Sequence, residues 1–77
     1  MENRIMQVMA SVFGVDISEI NEHSSPETIK EWDSLKQMGL VLALEEEFGI
    51  SFSNDQITEM LNFKLIKLTI EEILSGK

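Results

Sequence analysis

The run from Asp33 to Gly49 constrains this chain more than any other part of it. Asp33 and Ser34 are residues that cap helices, and Gly49 suits the left-handed residue that ends one. Between them, Leu40, Val41, Leu44 and Phe48 recur at the spacing of one buried helical face. The run therefore predicts a helix (helix II) that begins at Asp33 or Ser34 and ends near Phe48. Leu35, Met38 and Leu42 form a second, offset apolar stripe. A domain this small has little capacity to bury both faces, so the second stripe is expected to meet a partner, Leu35 above all.

The rest of the chain is also helical in pattern. Ile5, Val8, Met9, Val12 and Phe13 predict helix I, with Gly14 as its stop. A long connection follows, with one short turn near Asp16–Ile20 and a second begun by Ser25 and Pro26. Val15, Ile17 and Ile20 are expected to tie it to the core, and Ile29 and Trp32 to pack beneath the second turn. Ile50, Ser51 and Phe52 return the chain. Ser53 can cap a short helix III reaching Met60. Asn62 can cap helix IV, with Phe63, Ile66, Ile70, Ile73 and Leu74 on its stripe and Leu65 and Leu68 outside it. An alternative start at Thr69 would pair that residue with Glu72 in a capping box. No segment alternates with period two for long, so no sheet is expected. The predicted fold is an all-α four-helix bundle with a long loop between helices I and II and a short helix III, in one domain over residues 1–77.

Composition narrows the function. The chain has 77 residues, a formal charge of −8, no cysteine and only 6% aromatic residues. A core of this size is aliphatic and leaves no room for a large internal active site. So negative a field repels nucleic acid and anionic membrane and attracts proteins with basic patches. The absence of cysteine removes disulfides, thiolate metal sites and thiol catalysis. The N-terminus lacks the apolar core of a signal peptide, and no run approaches the ~20 apolar residues that span a bilayer. A soluble, cytoplasmic, monomeric protein is expected. His23 stands alone in a polar loop, which argues against a metal or catalytic role. Ser34 is then the outstanding candidate, as a residue modified by another enzyme rather than a nucleophile in its own reaction.

The segment Glu31-Trp32-Asp33-Ser34-Leu35, followed by Ala43-Leu44-Glu45-Glu46-Glu47-Phe48-Gly49-Ile50, resembles the acyl carrier protein family. The similarity extends over the whole order of helices and is greatest to free-standing carriers of specialised pathways. The resemblance implies that a phosphopantetheinyl transferase, supplying metal and base, attaches 4′-phosphopantetheine from coenzyme A to Ser34. The arm's thiol would carry an acyl or aminoacyl group as a thioester, and the chain itself would catalyse nothing. Independently, a hydroxyl at a helix N-terminus is exposed, and a phosphodiester there meets free N–H groups and the positive dipole end.

Asp33 is expected to cap helix II and to contact the transferase. Leu35, Met38, Leu42, Glu45 and Glu46 are expected to contact partners. Acids in the last turn oppose the helix dipole, and with no compensation visible in the sequence, Glu45-Glu46-Glu47 points to docking on basic surfaces. Lys36 departs from fatty-acid carriers, which usually have an acid there, and Lys64 and Lys67 form a basic patch. Expected partners are the transferase and acyl-activating, acyltransferase or synthase enzymes with basic docking patches. Two alternatives remain open: an aminoacyl or peptidyl carrier for a discrete adenylating enzyme, and an unmodified acidic interaction module.

Overall fold

The computed structural model describes residues 2–76, and among them there are four α-helices and no strand. Helix α1 spans Glu2–Phe13 and buries Ile5, Met9 and Phe13, one residue per turn along a single face. Val8 and Val12 lie at its margins, half-buried against the core. Gly14 ends α1 at φ 71°, in the left-handed region, and its N–H donates to the Ala10 carbonyl.

The long connection to α2 is held by local caps and by apolar anchors. The Asp16 carboxylate accepts the Ser18 N–H and starts a 3-10 turn over Ile17–Glu19. Ile20 leaves that turn in extended conformation and enters the core. Ile17 does not enter it: at 39% exposed, it corrects the expectation that it is an anchor. The turn lifts Ile17 outward, and Ile20 with half-buried Val15 fills the space below. Ser24 is buried, and its hydroxyl accepts the Asn21 N–H while its carbonyl accepts the Phe63 N–H, joining the loop to the start of the last helix. The Ser25–Pro26 turn forms, with Ile29 and Trp32 buried under it. The Trp32 ring packs on Phe13 of α1 with centroids 5.2 Å apart.

Helix α2 covers Ser34–Phe48, with Asp33 as N-cap and Gly49 at φ 64° as C-cap. Leu40, Val41 and Leu44 are buried, and Phe48 packs at the edge of the core. Helix α3, Asn54–Glu59, starts with a reciprocal box in which the Ser53 hydroxyl accepts the Gln56 N–H and the Gln56 carbonyl oxygen accepts the Ser53 N–H. Met60, expected inside this helix, instead ends it and is fully buried.

Helix α4 spans Phe63–Leu74. The Asn62 side chain accepts the Leu65 N–H, so the helix begins there and not at Thr69. Thr69 lies inside the helix, buried, with its hydroxyl donating to the Leu65 carbonyl. Leu74, at 48% exposed, leaves the predicted stripe because α4 ends there and offers nothing further to pack beneath it. Ile5, Met9, Leu40, Leu44, Ile66 and Ile70 have no exposed surface, so the centre of the core draws equally on α1, α2 and α4. Each such side chain contributes about 1.5–3 kcal/mol through burial.

An ion pair ties the first and last helices together at the surface. Lys67 of α4 pairs with Glu2 of α1. Hydrogen bonding to Lys67 holds the Glu2 carboxyl below its usual range, and the same bond holds the Lys67 amine above its own. Among the described residues, no helix is long and apolar enough to cross a membrane.

Candidate functional site

Ser34 is the first residue of α2 and is exposed. Asp33 before it is extended, and its carboxylate accepts the Lys36 N–H at 2.8 Å. The first bond of the helical ladder runs from the Gln37 N–H to the Asp33 carbonyl at 2.8 Å. The N–H groups of Ser34 and Leu35 therefore lie ahead of that ladder, at the positive end of the helix.

Two side chains position this corner from behind. The Trp32 indole is buried and donates through Nε1 to the Gln37 Oε1 at 2.6 Å. The Gln37 Nε2 in turn donates to the Met60 carbonyl at 3.2 Å. Sequence reading assigned Gln37 no role, although a signal was present. Gln37 precedes Leu40, Val41 and Leu44 by three, four and seven positions, so it is a polar residue on the core-facing stripe.

In front of the corner the surface is apolar. Leu35, Met38 and Leu42 are 80%, 55% and 64% exposed, so the offset stripe does face outward. Glu46 continues it by one further turn. A groove of about 560 Å³ opens beside Ser34 between α2 and α3, bordered by Met38, Ile57, Met60, Leu61 and Pro26. Its walls are predominantly apolar, and Ser34 lies at its mouth. A serine hydroxyl joined to a phosphodiester at the helix N-terminus, with a long flexible arm beside an apolar groove, fits these residues.

The charges near the site are arranged differently from the sequence expectation. The Lys36 amine donates to the Val12 carbonyl at 3.3 Å, so this cation serves the C-terminal end of α1. The acidic run at the far end of α2 is compensated. Half-buried Glu45 accepts the Phe52 N–H at 2.8 Å and fixes the chain reversal after Gly49. Glu47 accepts from Arg4 of α1 at 3.0 Å, and the same guanidinium donates to the Glu47 carbonyl at 2.9 Å. Arg4 also stands 4.6 Å from the centroid of the Phe48 ring. A cation there neutralises the negative end of the helix. Glu46 alone of the three is exposed without an ion pair among the described residues. Of the residues expected to meet partners, Asp33, Leu35, Met38, Leu42 and Glu46 are exposed, while Glu45 is engaged from within. Lys67 is paired with Glu2, so the basic patch on α4 reduces to Lys64. His23 is exposed in the loop beside Glu22.

Comparison with known proteins agrees with this geometry. A model of the family described as "Phosphopantetheine attachment site" matches residues 3–63. The chain is also 36% identical over 45 residues to an acyl carrier protein homolog of Mycoplasma genitalium. That alignment covers 58% of this chain and 54% of the relative, so it spans about half the relative's length. Because the family model takes in α1, α2 with Ser34, α3 and the cap of α4, the chain belongs to the acyl carrier protein family, whose prosthetic group is covalently bound 4′-phosphopantetheine.

Proposed function

We propose that Ser34 is the attachment residue and that residues 1–77 act as one carrier domain, tethering acyl intermediates for a specialised biosynthetic pathway in the cytoplasm. The observation that carries this reading is the exposed Ser34 at the first position of α2, capped by Asp33 and opening on an apolar groove. When bound, the prosthetic group supplies a thiol that holds the acyl group as a thioester. The chain's own residues bind and present, and they perform no catalysis. Asp33 organises the first turn, and the leading N–H groups of α2 would be available to the phosphodiester of the bound group. Leu35, Met38 and Leu42 offer an apolar strip to successive enzymes, with Asp33 and Glu46 as its acidic ends. Glu45 adds charge to that field more than contact. A net charge of −8 steers encounter with basic partner surfaces, and exposed charges of this kind govern association rate more than affinity. Tethering keeps the intermediate at high effective concentration beside each active site.

The test is incubation with coenzyme A and a broad-specificity phosphopantetheinyl transferase, followed by intact and peptide mass spectrometry beside Ser34→Ala. The expected result is one phosphopantetheine adduct, located on Ser34 and absent from the variant. Folded protein that takes no adduct from several transferases refutes the reading and leaves an unmodified interaction module. Loading assays with acyl-activating and adenylating enzymes then separate acyl from aminoacyl cargo.

A further inference from the structure

We infer that Gln37 is a positioning residue for the modification of Ser34, acting as a two-ended latch that holds the serine's approach loop to the end of α3. The inference rests on the reading of Ser34 as the attachment residue. Three points bracket Ser34: Trp32 two residues before it, Asp33 as its cap, and Gln37 three residues after it. The Gln37 carboxamide is the only link from this corner to α3 through side-chain hydrogen bonds among the described residues. It accepts from the Trp32 Nε1–H at 2.6 Å and donates to the Met60 carbonyl at 3.2 Å.

The chemistry at this position is demanding. An indole N–H only donates and a backbone carbonyl only accepts. The bridging side chain must therefore accept at one atom and donate at another, and it must span the gap from the first turn of α2. A carboxamide does both, whereas a carboxylate only accepts and an ammonium only donates. The amide orientation is settled by the same logic, since the reverse would set NH₂ against N–H and oxygen against oxygen.

The anchors of the latch lie in different parts of the fold. The Trp32 ring is packed on Phe13 of α1, and Met60 is fully buried where α3 ends. Gln37 thus ties α1, α2 and α3 together immediately behind the exposed hydroxyl. Without it, Trp32 keeps its packing but loses the partner of its N–H. The peptide from Glu31 to Asp33 then loses its tie to the end of α3 and keeps only its local bonds, so Ser34 is positioned less tightly with its cap. A small misplacement of a reacting group costs up to about 100-fold in rate, so modification registers the loss far more than folding does.

Gln37→Met removes both hydrogen bonds while nearly conserving shape, and Gln37→Glu keeps the acceptor for Trp32. Ile66→Val, a cavity in the α4 core away from the site, provides a variant of reduced stability with the latch intact. Trp32 is the only tryptophan, so its indole N–H gives one resonance whose shift and exchange rate report the latch directly. In Gln37→Met that resonance is expected to shift and exchange faster. The transferase's kcat/KM for the chain should fall about 10- to 100-fold, with its KM for coenzyme A unchanged. Gln37→Glu should keep the indole resonance near its wild-type position, because the acceptor for Trp32 remains. It should nonetheless lower the rate, because a carboxylate oxygen then opposes the Met60 carbonyl. Ile66→Val should retain the wild-type rate. An unaltered indole resonance in Gln37→Met overturns the latch. A Gln37→Met rate no lower than that of Ile66→Val overturns the positioning role while leaving Ser34 as the attachment residue. A wild-type chain that takes no adduct removes the Ser34 reading and this role together, whatever the indole resonance shows.

Discussion

Arg4→Ala tests how the acidic end of α2 is held. Arg4 makes three contacts there: the ion pair with Glu47, the bond to the Glu47 carbonyl, and the stack on Phe48. The paired side chains are 54% and 41% exposed, so solvent screening limits the ion pair to about 0.5 kcal/mol. A cation on the last carbonyls of a helix contributes about 0.3–1 kcal/mol. The contact with the Phe48 face adds about 0.5 kcal/mol at so exposed a site. These share one guanidinium and do not add strictly, which gives a loss of about 1–2 kcal/mol. For a chain of 77 residues that corresponds to a fall in Tm of about 5–12 °C. Arg4→Lys keeps the charge but not the fork or the stack, and should lose about half as much. Thermal melts at low salt and in 1 M NaCl, in a cycle with Glu47→Ala, separate the parts. Salt at that level shortens the screening length to about 3 Å, so the coupling between Arg4 and Glu47 should shrink and the Phe48 contribution should persist. An Arg4→Ala melt within about 2 °C of wild type at low salt would refute the compensation argued here.

Glu45→Ala should cost about 1 kcal/mol, because the Phe52 N–H loses its acceptor in a part-buried site while the helix end is relieved of one negative charge. Faster hydrogen exchange at the Phe52 amide is the specific readout, and Glu45→Gln should retain most of the protection. Leu35→Ala should leave stability within about 0.5 kcal/mol, since the side chain is largely in water, yet raise the transferase's KM for the chain. The Glu2–Lys67 pair carries a pH signature with two edges. Glu2 is held below its ordinary value of 4.5, so its contribution is complete above that value and is lost as pH falls through the lowered folded value. Lys67 is held above 10.5, so its contribution is complete below that value and is lost as pH rises through the raised folded value. The Tm difference between wild type and Glu2→Gln should therefore be level from pH 6 to 9 (roughly) and close at both extremes. A difference that changes steadily across neutrality would contradict the pairing.

Much of this protein is written in short-range signals. Asp33, Ser53 and Asn62 each cap a helix by accepting an N–H three residues ahead, and Gly14 and Gly49 end helices through their own positive φ. Such devices work within one turn of the chain, so helix limits and the placement of Ser34 at the first position of α2 are legible without any tertiary contact. The apolar periodicity of α1, α2 and α4 likewise identifies Ile5, Met9, Leu40, Leu44, Ile66 and Ile70 as core, because a 3.6-residue repeat alone decides which side chains share a face.

What the sequence left undecided is every partnership between residues far apart in the chain. Arg4 and Glu47 are 43 positions apart, Gln37 and Met60 are 23 apart, and Lys67 and Glu2 are 65 apart. Only the meeting of α1 with α2 and with α4, and of α3 with α2, brings such groups within hydrogen-bonding reach. That is why the acidic run read as uncompensated, Gln37 as unremarked, Lys36 as an anomaly beside Ser34, and Ile17 as an anchor. Caps and periodicity act over a few residues and survive any rearrangement of the helices. Ion pairs, latches and exposed stripes exist only once the helices have met, and in this molecule they determine how Ser34 is held and what surface surrounds it.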